Sequence, residues 1–283
     1  MAQFFKHGWH LPLSWWNTNF KLSVMPVKKI KLLCALGSHK IVSPLLLAVC
    51  LLMPATANAV LLTVNNFSFE NPSTAPATFT GDQASGPADW SVYNAGDTNS
   101  FRYFGVWNPA TTDSYTDPVP DGFNVGVVFL LNTFSIAEAG LQQVLPSTLE
   151  VSTRYTLSVD VGNFDPGSGS APWDFTGFPG YRVDLLAGGV VLASDNNTLM
   201  PAEGRFLTST ISYTVGASHT NAGQALAIRL VSLNGTGVEV NFDNVLLDAT
   251  AVPEPSSRSL VALGLAFLLL AIHLKRQDAL ARR

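Results

Sequence analysis

The sequence predicts an all-β domain, an antiparallel two-sheet sandwich of the jelly-roll kind, set between a cleaved N-terminal signal helix and a single C-terminal transmembrane helix. Three observations carry this. Apolar and polar residues alternate with a period of two in segment after segment of the middle of the chain, the spacing of a half-buried strand. No amphipathic helical repeat of useful length separates these segments. At each end, and only there, an apolar run adjoins a basic cluster.

In chain order, Lys28, Lys29 and Lys31 precede the apolar stretch Ile41 to Met53, which leads into "PATANAV". Ala57 and Ala59 supply the small-x-small pattern read by signal peptidase, so cleavage is expected before Val60. Residues 25–59 are then the signal peptide, and residues 1–24, which fit poorly ahead of such a leader, are an upstream extension with the true start at Met25. Cys50 does not read as a lipidation site, because Val49 before it is too large and "LLMP" continues the apolar run.

Residues 60–250 form one domain, long enough to bury a sizeable core. "YTLSVDV" alternates cleanly, and "YRVDLLAGGVVLASD" alternates, turns at Gly188-Gly189 and returns as a hairpin. "LLTVNNFSFE", "FNVGVVFLL", "RFLTSTISYTV", "ALAIRLVSL" and "VEVNFDNVLLDA" bring the strands to about eight, which points to the sandwich. Three long interruptions, "NPSTAPATFTGDQASGPADW", "GVWNPATTDSYTDPVPDG" and "GNFDPGSGSAPWDFTGFPG", are rich in Gly, Pro, Asp and aromatic residues, and loops of that length in a compact domain are usually functional.

Charge narrows the function classes. The domain keeps five arginines (102, 154, 182, 205 and 229) against eighteen acids and has no lysine, a formal charge of 5 − 18 = −13. Such a surface repels nucleic acid and anionic headgroups and favours divalent cations. There is no cysteine and a single histidine, His219, in the polar turn "GASHTNAG", so thiol chemistry and His/Cys zinc sites are excluded by count, and no nucleophile-elbow sequence supports a serine hydrolase. Oxygen-ligand metal binding and aromatic-lined recognition remain. By period, Asp243 shares a strand face with Val245 and Leu247, a carboxylate at a core-facing position that needs a partner. Calcium suits the acidic composition, and if the first and last strands lie side by side, Glu70 and Asp243 could share one ion; a solvated or hydrogen-bonded carboxylate is the other reading.

The tail "AVPEPSSRSLVALGLAFLLLAIHLKRQDALARR" ends the chain, its residues 251–283 forming a unit of their own. The sixteen residues from Ser259 to Leu274 carry no formal charge apart from His273, about 24 Å of helix against the ~20 residues usual for a span. Lys275 and Arg276 can snorkel, and the positive-inside rule sets the domain across the membrane from them.

Val252, Pro253, Glu254 and Pro255, followed by an apolar run and a basic end, resemble the PEP-CTERM sorting signal, also known as the ice-binding protein C-terminal motif. That resemblance implies an exosortase partner, anchoring in the inner membrane during transit, and delivery to the cell surface or extracellular matrix of a Gram-negative-type bacterium. "NNFSFENP" and "VNFDNVLLDA" resemble carbohydrate-binding, galactose-binding-like jelly rolls, in which an N-terminal Glu and a C-terminal Asp hold a structural calcium; this implies Glu70 and Asp243 as metal ligands. "YTLSVDVGN", "GFPGYRVDLLAGG", "ASDNNTL" and "FDNVLLDA" resemble the hapalindole-type alkaloid cyclases, whose general acid is an Asp, matched by Asp243. The expectation drawn is a non-enzymatic surface protein that binds polysaccharide through Trp107, Tyr115, Trp173, Phe175, Phe178 and Tyr181 or serves as a structural matrix component. The alternative is a cyclase using Asp243 as acid.

Overall fold

The computed structural model describes residues 58–94, 101–109, 114–131, 138–165, 175–233, 236–252 and 257–281. In chain order among these come β1 (Ala59–Leu62), β2 (Thr78–Asp82), β3 (Ser91–Tyr93), β4 (Phe101–Asn108), β5 (Val125–Leu131), β6 (Ala139–Thr148), β7 (Thr153–Asn163), β8 (Tyr181–Ala187), β9 (Val190–Asn196), β10 (Arg205–Thr214), β11 (Ala225–Ser232), β12 (Thr236–Ala251) and α1 (Ser257–Ala281).

Two antiparallel sheets form the sandwich. The seven-stranded sheet runs β10-β7-β12-β5-β4-β2, with β1 also paired to β12; the five-stranded sheet runs β3-β6-β11-β8-β9. β12 organises the first sheet: its first half pairs with β5, its last half with β1, and β7 flanks both. Alternation explains the core between the sheets. Leu157, Val159 and Val161 of β7, Val240 and Phe242 of β12, and Val128 and Leu130 of β5 pack against Val183 and Leu185 of β8 and Ile228 and Leu230 of β11. The hairpin expected at Gly188-Gly189 joins β8 to β9, with both glycines at the positive φ (57° and 81°) that such a tight turn requires.

Among the described residues twelve strands stand where about eight were expected. "NNFSFE" is not strand: β1 stops at Leu62, and Asn66 and Phe69 take positive φ (47° and 58°) in a turn held by the Asn66 side chain, which donates to Asn71 O and accepts from Asn71 N. Ala59 lies in β1 opposite Thr250, while the proposed leader up to and including Ala57 falls outside the described residues. Val252 donates its N–H to Ser152 O at 2.8 Å; Pro253, Glu254 and Pro255 fall outside the described residues. α1 covers the apolar tail, but among the described residues no helix is long and apolar enough to cross a membrane. The sixteen-residue run 259–274, which ends at Lys275-Arg276, is short of a full span.

Candidate active site

One row of small residues crosses the outer face of the seven-stranded sheet. Cross-strand register places Gly162 (β7), Asn241 (β12), Val127 (β5), Gly105 (β4) and Gly81 (β2) side by side. Residues two positions away on the same strands form a wall on either side. One wall carries Asp243, Val125, Trp107 and Phe79; the other carries Glu239, Phe129 and Tyr103. The row is closed at one end by Phe79, whose ring rests on Gly81 and Gly105. It is closed at the other by Tyr115 and Phe206, which stack at 4.3 Å over Gly162. A Cβ on Gly162 would come within 2.8 Å of the Tyr115 hydroxyl, so glycine is what lets the ring settle there. The middle of the row, over Val127 and Asn241, lies between the two walls. Val125, Val127 and Phe129 are buried although they stand outside the sandwich core.

Loops bring further rings. Phe164, just after β7, meets Trp107 at 6.3 Å, Tyr115 at 6.4 Å and Phe175 at 5.5 Å, and Phe175 meets Phe129 edge-on at 5.7 Å. The Tyr115 loop is strapped down by backbone bonds: Thr116 and Asp117 donate N–H to Gly204 O, and Asp165 N–H to Ser114 O. The Tyr115 hydroxyl donates to Asn241 Oδ1, and Asn241 Nδ2 donates to Glu239 Oε1 at 3.0 Å. Asn241 is fully buried, so its amide is satisfied from both sides and held in one orientation.

Asp243 is fully buried, but not because it faces the core. The pairing of β12 with β7 slips between Asp243 and Leu246, and Asn244 adopts φ 49°, a β-bulge. Phe242 and Val245, three apart, therefore both reach the core, and the expectation that Asp243 shares a face with Val245 and Leu247 is corrected: the bulge leaves Asp243 on the outer face with Glu239 and Asn241. There its Oδ2 accepts from Asp121 N–H at 2.9 Å and its Oδ1 from Asn244 N–H at 2.7 Å. Burial pushes its carboxyl up to about 8, held back by those two N–H groups and helped by the charges of Asp121 and Asp160. Asp243 therefore carries a proton at neutral pH. Burial likewise raises Glu239 to about 7, opposed by the Asn241 hydrogen bond, and raises Tyr115 well above its ordinary value, so the phenol stays a donor.

Glu70 is brought to the same turn as Asp243. Its Oε1 accepts from Phe123 and Asn124 N–H, both at 2.7 Å, so the segment Asp121–Asn124 bridges the two carboxyls through backbone amides. Gly122, at φ 73°, lies where a Cβ would fall 2.3 Å from Glu70 Oε1. Among the described residues no group of three or more His, Cys, Asp or Glu could hold a metal ion. One observation does fit an oxygen-seeking cation beside Glu70: Asn124 Oδ1 is buried without a partner.

Of the six expected ligand-binding aromatics, Trp107, Tyr115 and Phe175 come together here. Tyr181 is fully buried in the core, where its hydroxyl donates to Asp195, and Phe178 packs beside it at 6.2 Å, away from the row; Trp173 lies outside the described residues. Phe129, Phe164, Phe206, Glu239 and Asn241 were not singled out from the sequence. The polar alternation of "VEVNFDN" was the available signal for the last two, since polar residues at every second position of a central strand line one face.

The family model described as HpiC1-like, the HpiC1 cyclase, matches residues 60–248. Among solved structures, the apo form of a cyclase from Fischerella sp. is 36% identical with a TM-score of 0.62, covering 69% of this chain and 98% of that chain. A Stig cyclase, Fisc from Fischerella sp. TAU, in complex with (3Z)-3-(1-methyl-2-pyrrolidinylidene)-3H-indole, is 37% identical (TM-score 0.61; 68% of this chain, 98% of that chain). A cyclase from the same source in complex with 4-(1H-indol-3-yl)butan-2-one is 36% identical (TM-score 0.62; 69% and 100%). No curated protein matches the chain. These relatives overturn the expectation of a non-enzymatic, carbohydrate-binding or structural matrix protein. The geometry gives the physical reason: the clustered rings meet edge to face around Glu239 and Asp243, two carboxyls raised by burial, and do not offer a flat exposed platform for a sugar.

Proposed function

Because the chain belongs to the HpiC1 cyclase family, we propose that it catalyses an acid-promoted ring closure of an indole-bearing isoprenoid, with Asp243 as the general acid. The observation that carries this is a carboxyl that keeps its proton to about 8 on the wall of an aromatic-lined row. The Asp243 proton is delivered to a carbon of the substrate; the electron pair of a C=C bond forms the new C–H bond and leaves a cation. A second π bond of the same molecule attacks that cation and closes the ring, and loss of a proton from a neighbouring carbon restores neutrality. Substrate and product are isomers, so no oxidant or co-reactant is consumed. Ring faces are attracted to cations, about 0.5–2 kcal/mol each depending on desolvation, and Trp107, Phe129, Phe164 and Phe175 supply them while excluding water. The indole part of the substrate class rests on the indole compounds held by two related cyclases, and its isoprenoid part on the resemblance to the hapalindole-type alkaloid cyclases alone.

Calcium enters this proposal only as support. Glu70 and the free Asn124 Oδ1 would hold it, and it would neutralise charge and brace the turn that carries Asp121. Asp243, whose two oxygens both take N–H groups, is assigned to acid chemistry. Export is part of the same proposal, with signal peptidase acting at Ala57 and Ala59 and the mature cyclase beginning at Val60. Intact mass of the secreted protein beginning at Val60 supports that part, and an unprocessed N-terminus sinks it.

The test of the chemistry is turnover of a 3-substituted indole bearing an isoprenoid chain, followed by chromatography and mass spectrometry. The wild-type protein should give a ring-closed isomer of unchanged mass, and Asp243→Asn should lower the rate by two or more orders of magnitude, as removal of a general acid does. Equal rates for the two would remove Asp243 from the mechanism.

A further inference from the structure

Resting on the cyclase reading, the geometry points to Glu239 as the proton acceptor that ends the reaction, standing across the small-residue row from the acid Asp243. Three placements carry this. Glu239, Asn241 and Asp243 occupy alternate positions before the bulge on β12, so all three project from the outer face, with Asn241 at the floor and a carboxyl in each wall. At ~3.3 Å per residue, four residues separate the two backbone positions by about 13 Å, with Asn241 between them and Val127 beside it on β5. Glu239 stands opposite Phe129, whose ring meets Phe175, so the carboxyl borders the aromatic wall where a cation would be held.

Its hydrogen bonding suits an acceptor. Asn241 Nδ2 donates to Oε1, and that amide is turned the right way round by the Tyr115 hydroxyl bonded to Asn241 Oδ1. The donated hydrogen bond favours the ionised form of Glu239, against the burial that opposes it. Burial is also the largest influence on Asp243, pushing it up to about 8 against the N–H groups of Asp121 and Asn244. The two carboxyls are told apart by place: Asp243 is tied at both oxygens to the bulge and its neighbouring turn, and Glu239 stands beside Phe129 with its Oε1 held by Asn241.

The step balances without a co-reactant. A C–H bond next to the cationic carbon breaks, its electron pair forms the C=C bond of the product, and the proton goes to a Glu239 oxygen. Glu239 then releases that proton to solvent, and Asp243 takes one up. Without an acceptor at that wall, the cation survives longer. It can lose a proton from another carbon or be captured by water, and capture adds 18 Da to the product, the mass of one water.

Glu239→Gln tests this, because a Gln oxygen can still accept from Asn241 and the fold is left intact. With a 3-substituted indole bearing an isoprenoid chain, wild-type protein should give one predominant isomer. Glu239→Gln should still consume substrate, within about tenfold of the wild-type rate, but distribute it over alternative double-bond isomers and the product 18 Da heavier. Glu239→Asp should partly restore the wild-type ratio, which a merely structural role would not predict. An unchanged product ratio in Glu239→Gln, with active wild-type protein beside it, overturns the inference and leaves the cyclase reading standing. No ring closure by the wild-type protein overturns both.

Discussion

Asp243→Asn should make the protein more stable at alkaline pH while it abolishes activity. The side chain is fully buried, and its carboxyl holds a proton to about 8 against an ordinary value of 3.8. Between those values the unfolded chain is deprotonated and the folded chain is not, so the unfolded state binds fewer protons and stability falls as pH rises from about 4 to about 8; outside that window this residue contributes no slope. At ~1.36 kcal/mol per pH unit the folded state loses on the order of 5 kcal/mol across the window. At roughly 2–4 °C per kcal/mol for a domain of this size, that is a fall of ten degrees or more in Tm. Asparagine is uncharged throughout and can keep one of the two backbone bonds, from Asp121 N–H or Asn244 N–H. Thermal melts of both proteins from pH 4.5 to 8.5, in buffer with a chelator, separate the effect from Glu239, which titrates in both and cancels. The wild-type Tm should drop much more steeply than that of the variant, and the two should converge or cross by pH 8. Parallel pH dependences would refute the assignment of Asp243 as a buried, proton-bearing acid.

Tyr115→Phe removes the hydroxyl that donates to the buried Asn241 Oδ1, which should cost about 1–3 kcal/mol and free the amide to turn; a lower Tm together with a changed product ratio checks both. Gly162→Ala places a methyl 2.5 Å from the Phe206 ring and 2.8 Å from the Tyr115 hydroxyl, so it should displace the Tyr115 loop and lower turnover more than it lowers Tm, measured side by side. Calcium at a hundredfold excess over Kd should stabilise the protein by about 2.7 kcal/mol, so chelation should lower Tm by several degrees in the wild type and by little in Glu70→Gln; equal shifts would remove Glu70 as a ligand.

The sandwich was legible wherever one face of a strand met the core and the other met water, as in β7 and β10, because there the alternation is complete. Alternation fails where both faces are buried, so β4 was missed and β5 was read as a strand only from its apolar run. β4, "FRYFGVWN", and β5, "VGVVFLL", put Phe104, Val106, Val128 and Leu130 into the core and Trp107, Val127 and Phe129 into the site, so their sequences show no period. Loss of alternation in a central strand was itself the trace of the covered site. Asp243 was found from the sequence for the wrong reason: strict period two sends it to the core, and the bulge at Asn244, an Asn that tolerates positive φ, turns it out. The aromatic list mixed two populations, since ring type says nothing about depth, and Tyr181 and Trp107 differ only in what the fold packs around them. Mean composition and charge excluded nucleic-acid and thiol chemistry but could not tell a sugar-binding sandwich from a cyclase, because function lies in the site and not in the fold class.

Running the reaction in D2O tests the central claim most directly, because the Asp243 proton exchanges with solvent before it is delivered to carbon. With an indole-bearing isoprenoid as substrate and wild-type protein, the ring-closed product should gain one mass unit, with deuterium bound to carbon at the site of protonation by NMR, and Asp243→Asn should form none of it. A ring-closed product that carries no deuterium, or forms equally with Asp243→Asn, would contradict the account.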